Sequence, residues 1–499
     1  MVKSNKNFLE IFFFQECRKA LHSLAGCATM APFSHKKRGG LYVFLHRKVN
    51  SMKLKTAHGA SERLPRQILL FSLPLMCTNL LQVLFNMADV AVVGQFVGSN
   101  ALGAVGSTSL LIALYTGVLI GIASGINIVV ALAVGAAKEK DIRETVHTAA
   151  LIALFCGVAV LLVGILSARF ILELMKTKTE LIDAAVLYMR IYLLGMPALA
   201  LYNFGNAVFS AVGNTRKPLV FLSISGVVNV VLNLFFVIVC KMEVEGVALA
   251  SILSQYLSAF LVLRGLFVTK ENYGLRMDSL RINRDKAIRV LGIGLPSGLQ
   301  NAIFYVANLF VQMGVNSFDA TMVAGNSAAM NADTLIYDMM AAFYTACGSF
   351  MGQNYGARKK DRILKSYLWC VFYAFAIAAV FGAVLELFGV QFLSILSSDR
   401  AVIDAGMLRI RVMGFSYCVS AFMDASIAAA RSLGKSLVPT IIVIMGSCVF
   451  RVAWIYTVFA HFGTTTSLYL LYFFSFGLTA LAGNIYFAGV YRKKMREIA

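Results

Sequence analysis

The sequence predicts an all-α integral membrane protein, with twelve transmembrane helices arranged as two pseudo-symmetric groups of six. Three observations carry that expectation. Composition is the first: of 499 residues, 59% are hydrophobic and 14% charged, with a mean hydropathy of +0.76. A soluble domain of this size has too little interior for so many apolar side chains. The second is the form of the apolar runs. They are continuous over the ~20 residues that carry a helix across a bilayer, whereas a barrel strand alternates. The third is an internal repeat with a period of about 220 residues. Pro74 answers Pro296, Gly135-Ala136 answers Gly356-Ala357, and Arg190-Ile191 answers Arg409-Ile410 ahead of Gly195 and Gly414. The segment from Gly213 to Pro218 answers that from Gly434 to Pro439. Two halves of six spans that start on the same side are related by an axis along the membrane normal.

Residues 1–60 differ from the rest: a short apolar run from Asn7 to Phe14, then basic clusters at His35–Arg38 and Arg47-Lys48. No small-residue cleavage site follows a proper apolar core, so this is a poor signal peptide. It reads as a disordered leader or a mis-assigned start, with Met52 as an alternative first residue. The spans follow at roughly 66–94, 103–134, 146–168, 184–211, 218–240, 246–268, 287–315, 322–351, 363–390, 404–431, 437–460 and 466–491. The organisation is thus a first lobe over 61–268, a linker over 269–286, and a second lobe with a basic tail over 287–499.

Net charge is +21, but the basic residues fall in short loops and at the termini. Lys53, Lys55, Arg63 and Arg66 precede the first span, Lys138, Lys140 and Arg143 follow the second, and Arg358, Lys359, Lys360, Arg362 and Lys365 follow the eighth. Every second loop is basic, which places both termini in the cytoplasm of a multi-pass cytoplasmic-membrane protein. Such charge meets anionic headgroups rather than nucleic acid. Nine scattered cysteines with no CxxC pair give neither a disulfide framework nor a metal site.

Asp89 is the one charge inside the first span. Gln82, Asn86 and Asp89, spaced by four and three, share its helical face. A carboxylate at membrane depth costs several kcal/mol unless it meets protein, water or a cation, so it marks either an ion or proton site or a structural bond to a neighbouring helix. Asn229 and Asn233 lie one turn apart on the fifth span. In the second half, Asp333 and Asp338 lie on the eighth span and Asp424 on the tenth. Five residues correspond to about 140° around a helix, so Asp333 and Asp338 do not face one small site. Gln300, Asn301, Asn308 and Gln312 make the seventh span polar without an acid. Arg190 and Arg409, near the outer ends of their spans, are expected to snorkel to headgroups, the alternative being that one or two of the aspartates Asp333, Asp338 and Asp424 pair with Arg190, Arg409 or Arg411. No HExxH or GxSxG occurs and the buried acids are spread over both repeats, so no catalytic residues are assigned and an intramembrane enzyme is disfavoured.

Several local motifs resemble those of the multidrug and toxic compound extrusion (MATE) transporters of bacterial type. Phe350-Met-Gly-Gln-Asn-Tyr-Gly-Ala357 is similar to their loop after the eighth span, and Asn86-Met-Ala-Asp89 with Gly94 to their first-helix aspartate motif. Glu245–Gln255 resembles their sixth helix, Asn229–Asn233 their fifth, and Arg431-Ser-Leu-Gly434 a degraded form of the loop after their tenth. The resemblance covers residues 62–495. It implies a V-shaped pair of lobes, alternating access, and antiport of organic cations or amphipathic drugs against protons or sodium, with no cofactor beyond that ion.

Carried onto this chain, the family's ion-coupling site reads Asp89, Asn229, Asn233 and Ser251. Asn233 departs from the aspartate often found there. One carboxylate, two amides and a hydroxyl supply oxygen ligands for a hard cation, but a single negative charge weakens a sodium cage, which favours protons. Asn86, Gln300, Asn301, Asn308, Asp333, Asp338 and Asp424 are the substrate-binding candidates, the acids as counter-charges for a cation. A chain carrying both lobes suits a monomer working on a small-molecule substrate. The alternative is a flippase for a lipid-linked precursor. That function calls for basic residues facing the cavity, whereas the mid-membrane charges read here as mostly acidic.

Overall fold

The computed structural model describes residues 64–175, 177 and 179–498, so the leader lies outside the described residues. The chain forms α1 (Leu64–Val97), α2 (Ser99–Gly135), α3 (Glu139–Leu174), α4 in two parts (Thr179–Leu193 and Met196–Ala211), α5 (Arg216–Val239) and α6 (Val244–Val268). The second half repeats the series as α7 (Arg284–Val315), α8 (Ala320–Gly356), α9 (Lys360–Leu396), α10 (Arg400–Ser432), α11 (Leu437–Phe462) and α12 (Thr465–Ile498). Among the described residues, ten helices are individually long and apolar enough to cross a bilayer, and the two parts of α4, bent by 45°, make an eleventh. The predicted count of twelve is therefore approximate. Helix α8 is 37 residues long but falls short in apolarity, because it carries Asn326, Asn331, Asp333 and Asp338. The fourth span breaks where Gly195-Met196 precedes Pro197, whose ring removes a backbone donor and crowds the preceding turn. Large apolar side chains stand outward on the long helices; Leu166 is 83% and Ile395 81% exposed, which only lipid would cover favourably.

The repeat organises the packing. Helices α5 and α11 begin 221 residues apart, at Arg216 and Leu437, as do α6 and α12, at Val244 and Thr465. Thr215 Oγ1 donates to Phe71 O at 2.9 Å, and its counterpart Ser436 Oγ donates to Ile293 O at 3.0 Å. The first helix of each half also crosses to the other half at the end where α1 and α7 begin. Ile68 and Phe71 of α1 are buried in the core of the second half, and Val290 and Ile293 of α7 in a core of the first. Shape permits this: a Cβ on Gly121 would strike the backbone at Gly298, and one on Gly125 the backbone at Gly294, so α2 and α7 lie backbone to backbone.

Two asparagines end this contact zone. Asn79 Nδ2 on α1 donates to Asp338 O on α8 at 2.7 Å, and Asn301 Nδ2 on α7 donates to Gly117 O on α2 at 2.9 Å. The shift that carries Pro74 to Pro296 carries Asn79 to Asn301, and the shift that carries Gly135 to Gly356 carries Gly117 to Asp338. The two bonds are thus one latch written twice. Beyond them, no hydrogen bond among the described residues joins the far parts of α1 and α2 to those of α7 and α8. Each bond contributes about 0.5–1.5 kcal/mol. With both asparagines changed to Leu, amide exchange along α2 from Gly117 to Leu132 should rise by roughly tenfold or more; unchanged exchange would show that the glycine contacts alone hold the zone.

The segment between the halves is pinned to the start of α3. His147 Nε2 accepts from the Arg276 backbone N–H at 2.9 Å while Nδ1 meets Arg143 O at 2.7 Å, and Lys286 Nζ lies 2.6 Å from Asp141. Asn283 caps α7 by accepting from the N–H groups of Asp285 and Lys286.

Candidate functional site

Asp89 sits one turn before α1 widens into a π-helical turn at Val93–Val97, and Asn233 sits just before a similar turn at Phe235–Val239 of α5. Such turns displace a helix face by a fraction of a turn and recur at functional sites. Around Asp89, Asn233 Nδ2 donates to one carboxylate oxygen and Ser251 Oγ donates to the other at 2.9 Å. The same Asn233 amide reaches Asn229 Oδ1 at 3.4 Å, while Asn233 Oδ1 has no hydrogen-bond partner among the described residues. Asn229, Asn233 and Ser251 are buried, and Asp89 is half-buried. Three helices, α1, α5 and α6, therefore bring the four predicted ion-site residues into one cluster. Its chemistry is that of a single carboxylate held by neutral donors, able to accept a proton or to exchange those donors for a cation. Asn86, one turn earlier, is exposed.

The second half does not repeat this cluster. Arg409 is 4% exposed and is bound to Asp333, Nη2 at 2.7 Å and Nε at 2.8 Å. Its Nη1 donates to Asn326 Oδ1 at 2.8 Å, and its guanidinium lies over the rings of Tyr469 and Tyr472 at 5.4 and 5.2 Å. The expectation that Arg409 snorkels is corrected: α10 turns it inward, where the Asp333 carboxylate offsets its charge. Arg190 is exposed. Asp333 and Asp338 diverge around α8, with Asp333 buried and Asp338 half-buried.

Two further arginines are interior. Arg431 ends α10 rather than lying in a loop; it is buried, and its Nη2 donates to Gln300 Oε1 at 2.8 Å. Arg451, near the middle of α11, is fully buried; its Nη1 donates to Asn308 Oδ1 at 3.0 Å and its Nε to Ser475 Oγ at 3.3 Å. The mid-membrane charges are therefore more mixed than the sequence suggests, since Arg409, Arg431 and Arg451 face the interior alongside Asp89, Asp333, Asp338 and Asp424. The signal for Arg451 is in the sequence: a lone arginine midway through a 26-residue apolar helix is costly unless it faces protein. Of the substrate candidates, Gln300 and Asn308 serve these arginines, Asn301 serves the latch, and Asp424 is half-buried with Oδ2 unpartnered.

Comparison with known proteins agrees with this architecture. The sequence model of the MatE family matches residues 74–235 and again 296–457, one match in each half. A "Probable multidrug resistance protein YpnP" of Bacillus subtilis is 29% identical over 301 residues, which are 60% of this chain and 66% of the relative. A "Probable multidrug resistance protein NorM" of Thermotoga maritima is 24% identical over 388 residues, 76% of this chain and 82% of that one. Among solved structures, an outward-facing MATE transporter of the MOP superfamily superposes with a TM-score of 0.79 at 21% identity, over 89% of this chain and all of that one. A family match in both halves, on a pair of pseudo-symmetric helical bundles, makes this chain a member of the MATE family of multidrug efflux transporters, a multi-pass membrane protein and not an enzyme.

Proposed function

We propose that the protein is a proton-coupled antiporter that exports small amphipathic or cationic compounds across the cytoplasmic membrane, working as a monomer with both termini inside. The observation that carries the coupling is the Asp89 cluster: one carboxylate, with Asn233 and Ser251 as neutral donors and, among the described residues, no second acid. A sodium cage gains from a second negative charge, whereas a proton needs one carboxylate. With the termini inside, the latched zone closes the cytoplasmic side and the unlinked far parts of α1, α2, α7 and α8 open outward. The first lobe is then residues 61–268, the linker 269–286 and the second lobe 287–499, with Asp338 and Asp424 as counter-charges for a cationic substrate. A flippase remains the second reading, favoured by the interior Arg431 and Arg451.

The test is efflux of a fluorescent organic cation from vesicles holding the full chain, with a pH gradient and a sodium gradient imposed separately. A pH gradient alone should drive efflux. Efflux driven by sodium alone would assign the cluster to that ion, and no efflux with either gradient would move weight to the flippase.

A further inference from the structure

The pseudo-symmetry poses a question of its own: what stands in the second lobe where the first holds Asp89, Asn229, Asn233 and Ser251? The shift that carries α6 onto α12 puts Tyr472 at the place of Ser251, and the shift that carries α5 onto α11 puts Arg451 one residue past the place of Asn229. The two meet, with the Arg451 guanidinium 4.7 Å from the centre of the Tyr472 ring. Asn308 answers Asn86 by the shift between Pro74 and Pro296, and it accepts from Arg451 Nη1 at 3.0 Å. Where the first lobe has a carboxylate in this region, the second has a fixed cation of its own.

That cation is under-served. Arginine does not shed its proton to escape burial, so its charge persists and wants an anion or a full set of acceptors. Arg451 Nη2 and Arg431 Nε are buried without a hydrogen-bond partner among the described residues. Neither guanidinium has a carboxylate at salt-bridge distance among the described residues, in contrast to Arg409 with Asp333. Asp424 lies within electrostatic reach of both. Two permanent positive charges therefore share one half-buried acid. The cover over Arg451 is thin: Phe304, whose ring centre lies 4.5 Å from the guanidinium, and Asn308 are both partly exposed on α7. They lie beyond Asn301, in the part of α7 that the latch leaves unlinked to α2.

We propose that Arg451 and Arg431, beneath Phe304 and Asn308, form an oxyanion site in the second lobe that takes the carboxylate or phosphate group of an amphipathic export substrate. The site rests on the export reading above and extends it from cations to anions and zwitterions. A planar guanidinium suits either group by paired hydrogen bonds. The aromatic rings of Phe304, Tyr472 and Phe476 supply the apolar wall for the rest of such a molecule.

The test uses vesicles holding the full chain and three probes with one naphthalene body: naphthylacetate, naphthyl phosphate and a naphthylmethyl trimethylammonium. In Arg451→Gln, efflux of at least one anionic probe should fall at least tenfold while efflux of the ammonium probe stays within twofold. Arg451→Lys, which keeps the charge, should recover part of the loss. Which anion responds separates a carboxylate site from a phosphate site. Failure of the unaltered protein to carry either anion, equal efflux of both anions in Arg451→Gln, or an equal fall of all three probes in Arg451→Gln and Arg451→Lys would overturn the proposal. If the ammonium probe is exported normally in those cases, the export reading survives. If the unaltered protein exports none of the three, both fall.

Discussion

Asp89→Asn should reduce gradient-driven efflux to the level of protein-free vesicles while leaving the folded protein intact. Asparagine keeps the size of the side chain and one carbonyl oxygen, which accepts from Asn233, while its amide N–H can donate to the Ser251 hydroxyl oxygen in place of the bond that hydroxyl now donates. What disappears is the negative charge, and with it the group that, on the proton-coupled reading proposed above, alternates between proton-bound and proton-free. A transporter whose two states no longer differ in proton binding loses the thermodynamic link between proton flow and substrate movement. The companion variant Asn233→Asp sharpens the test. It sets a second carboxylate against Asp89, completing the charge of a sodium cage, and should shift the driving ion toward sodium. Efflux of Asp89→Asn equal to that of the unaltered protein would reduce the Asp89 cluster to an interhelical bond and move the coupling elsewhere.

Removing either partner of the Asp333–Arg409 pair should cost about 3–5 kcal/mol of stability, because the remaining charge is stranded in the interior. Arg409 is 4% and Asp333 7% exposed, so neither has water to turn to. Arg409→Met also strips Asn326 of a donor and Tyr469 and Tyr472 of a stacked cation. The decisive comparison is the double variant Asp333→Leu with Arg409→Met, measured by denaturation in micelles. It should lose less than either single variant, since no unpaired charge is left. If its loss equals the sum of the two, the residues stabilise the fold independently and the pair is not the unit.

Much of the Asp89 cluster was legible before any coordinates. Asp89 stands out because a charge inside an apolar run is costly; Asn229 and Asn233, four residues apart on one helical face, are tied to it by the family resemblance. Ser251 was reached only through resemblance to a family, since one serine in an apolar helix is unremarkable. The second lobe was harder to read. Its acids were visible as isolated charges, but whether an aspartate meets a substrate or an arginine depends on which neighbouring helix its face is turned toward. Asp333 is answered by Arg409, 76 positions along the chain, and nothing in local spacing announces that pair. Arg409 itself lay near a predicted span end, where snorkelling was the natural expectation. Its face of α10 is turned toward Asp333 of α8 and Tyr469 and Tyr472 of α12 instead.

The sequence by itself determined the membrane class, the helical series, the duplication and the position of Asp89. Each of these follows from hydrophobicity or periodicity, which are properties of contiguous residues. The tertiary structure alone decided the exchange of α1 and α7 between the halves, the paired Asn79 and Asn301 bonds that mark where the halves part, and the arginines that fill the second lobe. Those features depend on which faces of distant helices meet. In a bilayer, where lipid is as apolar as the side chains, that choice is made by close packing of small residues and by the few polar groups that must find partners.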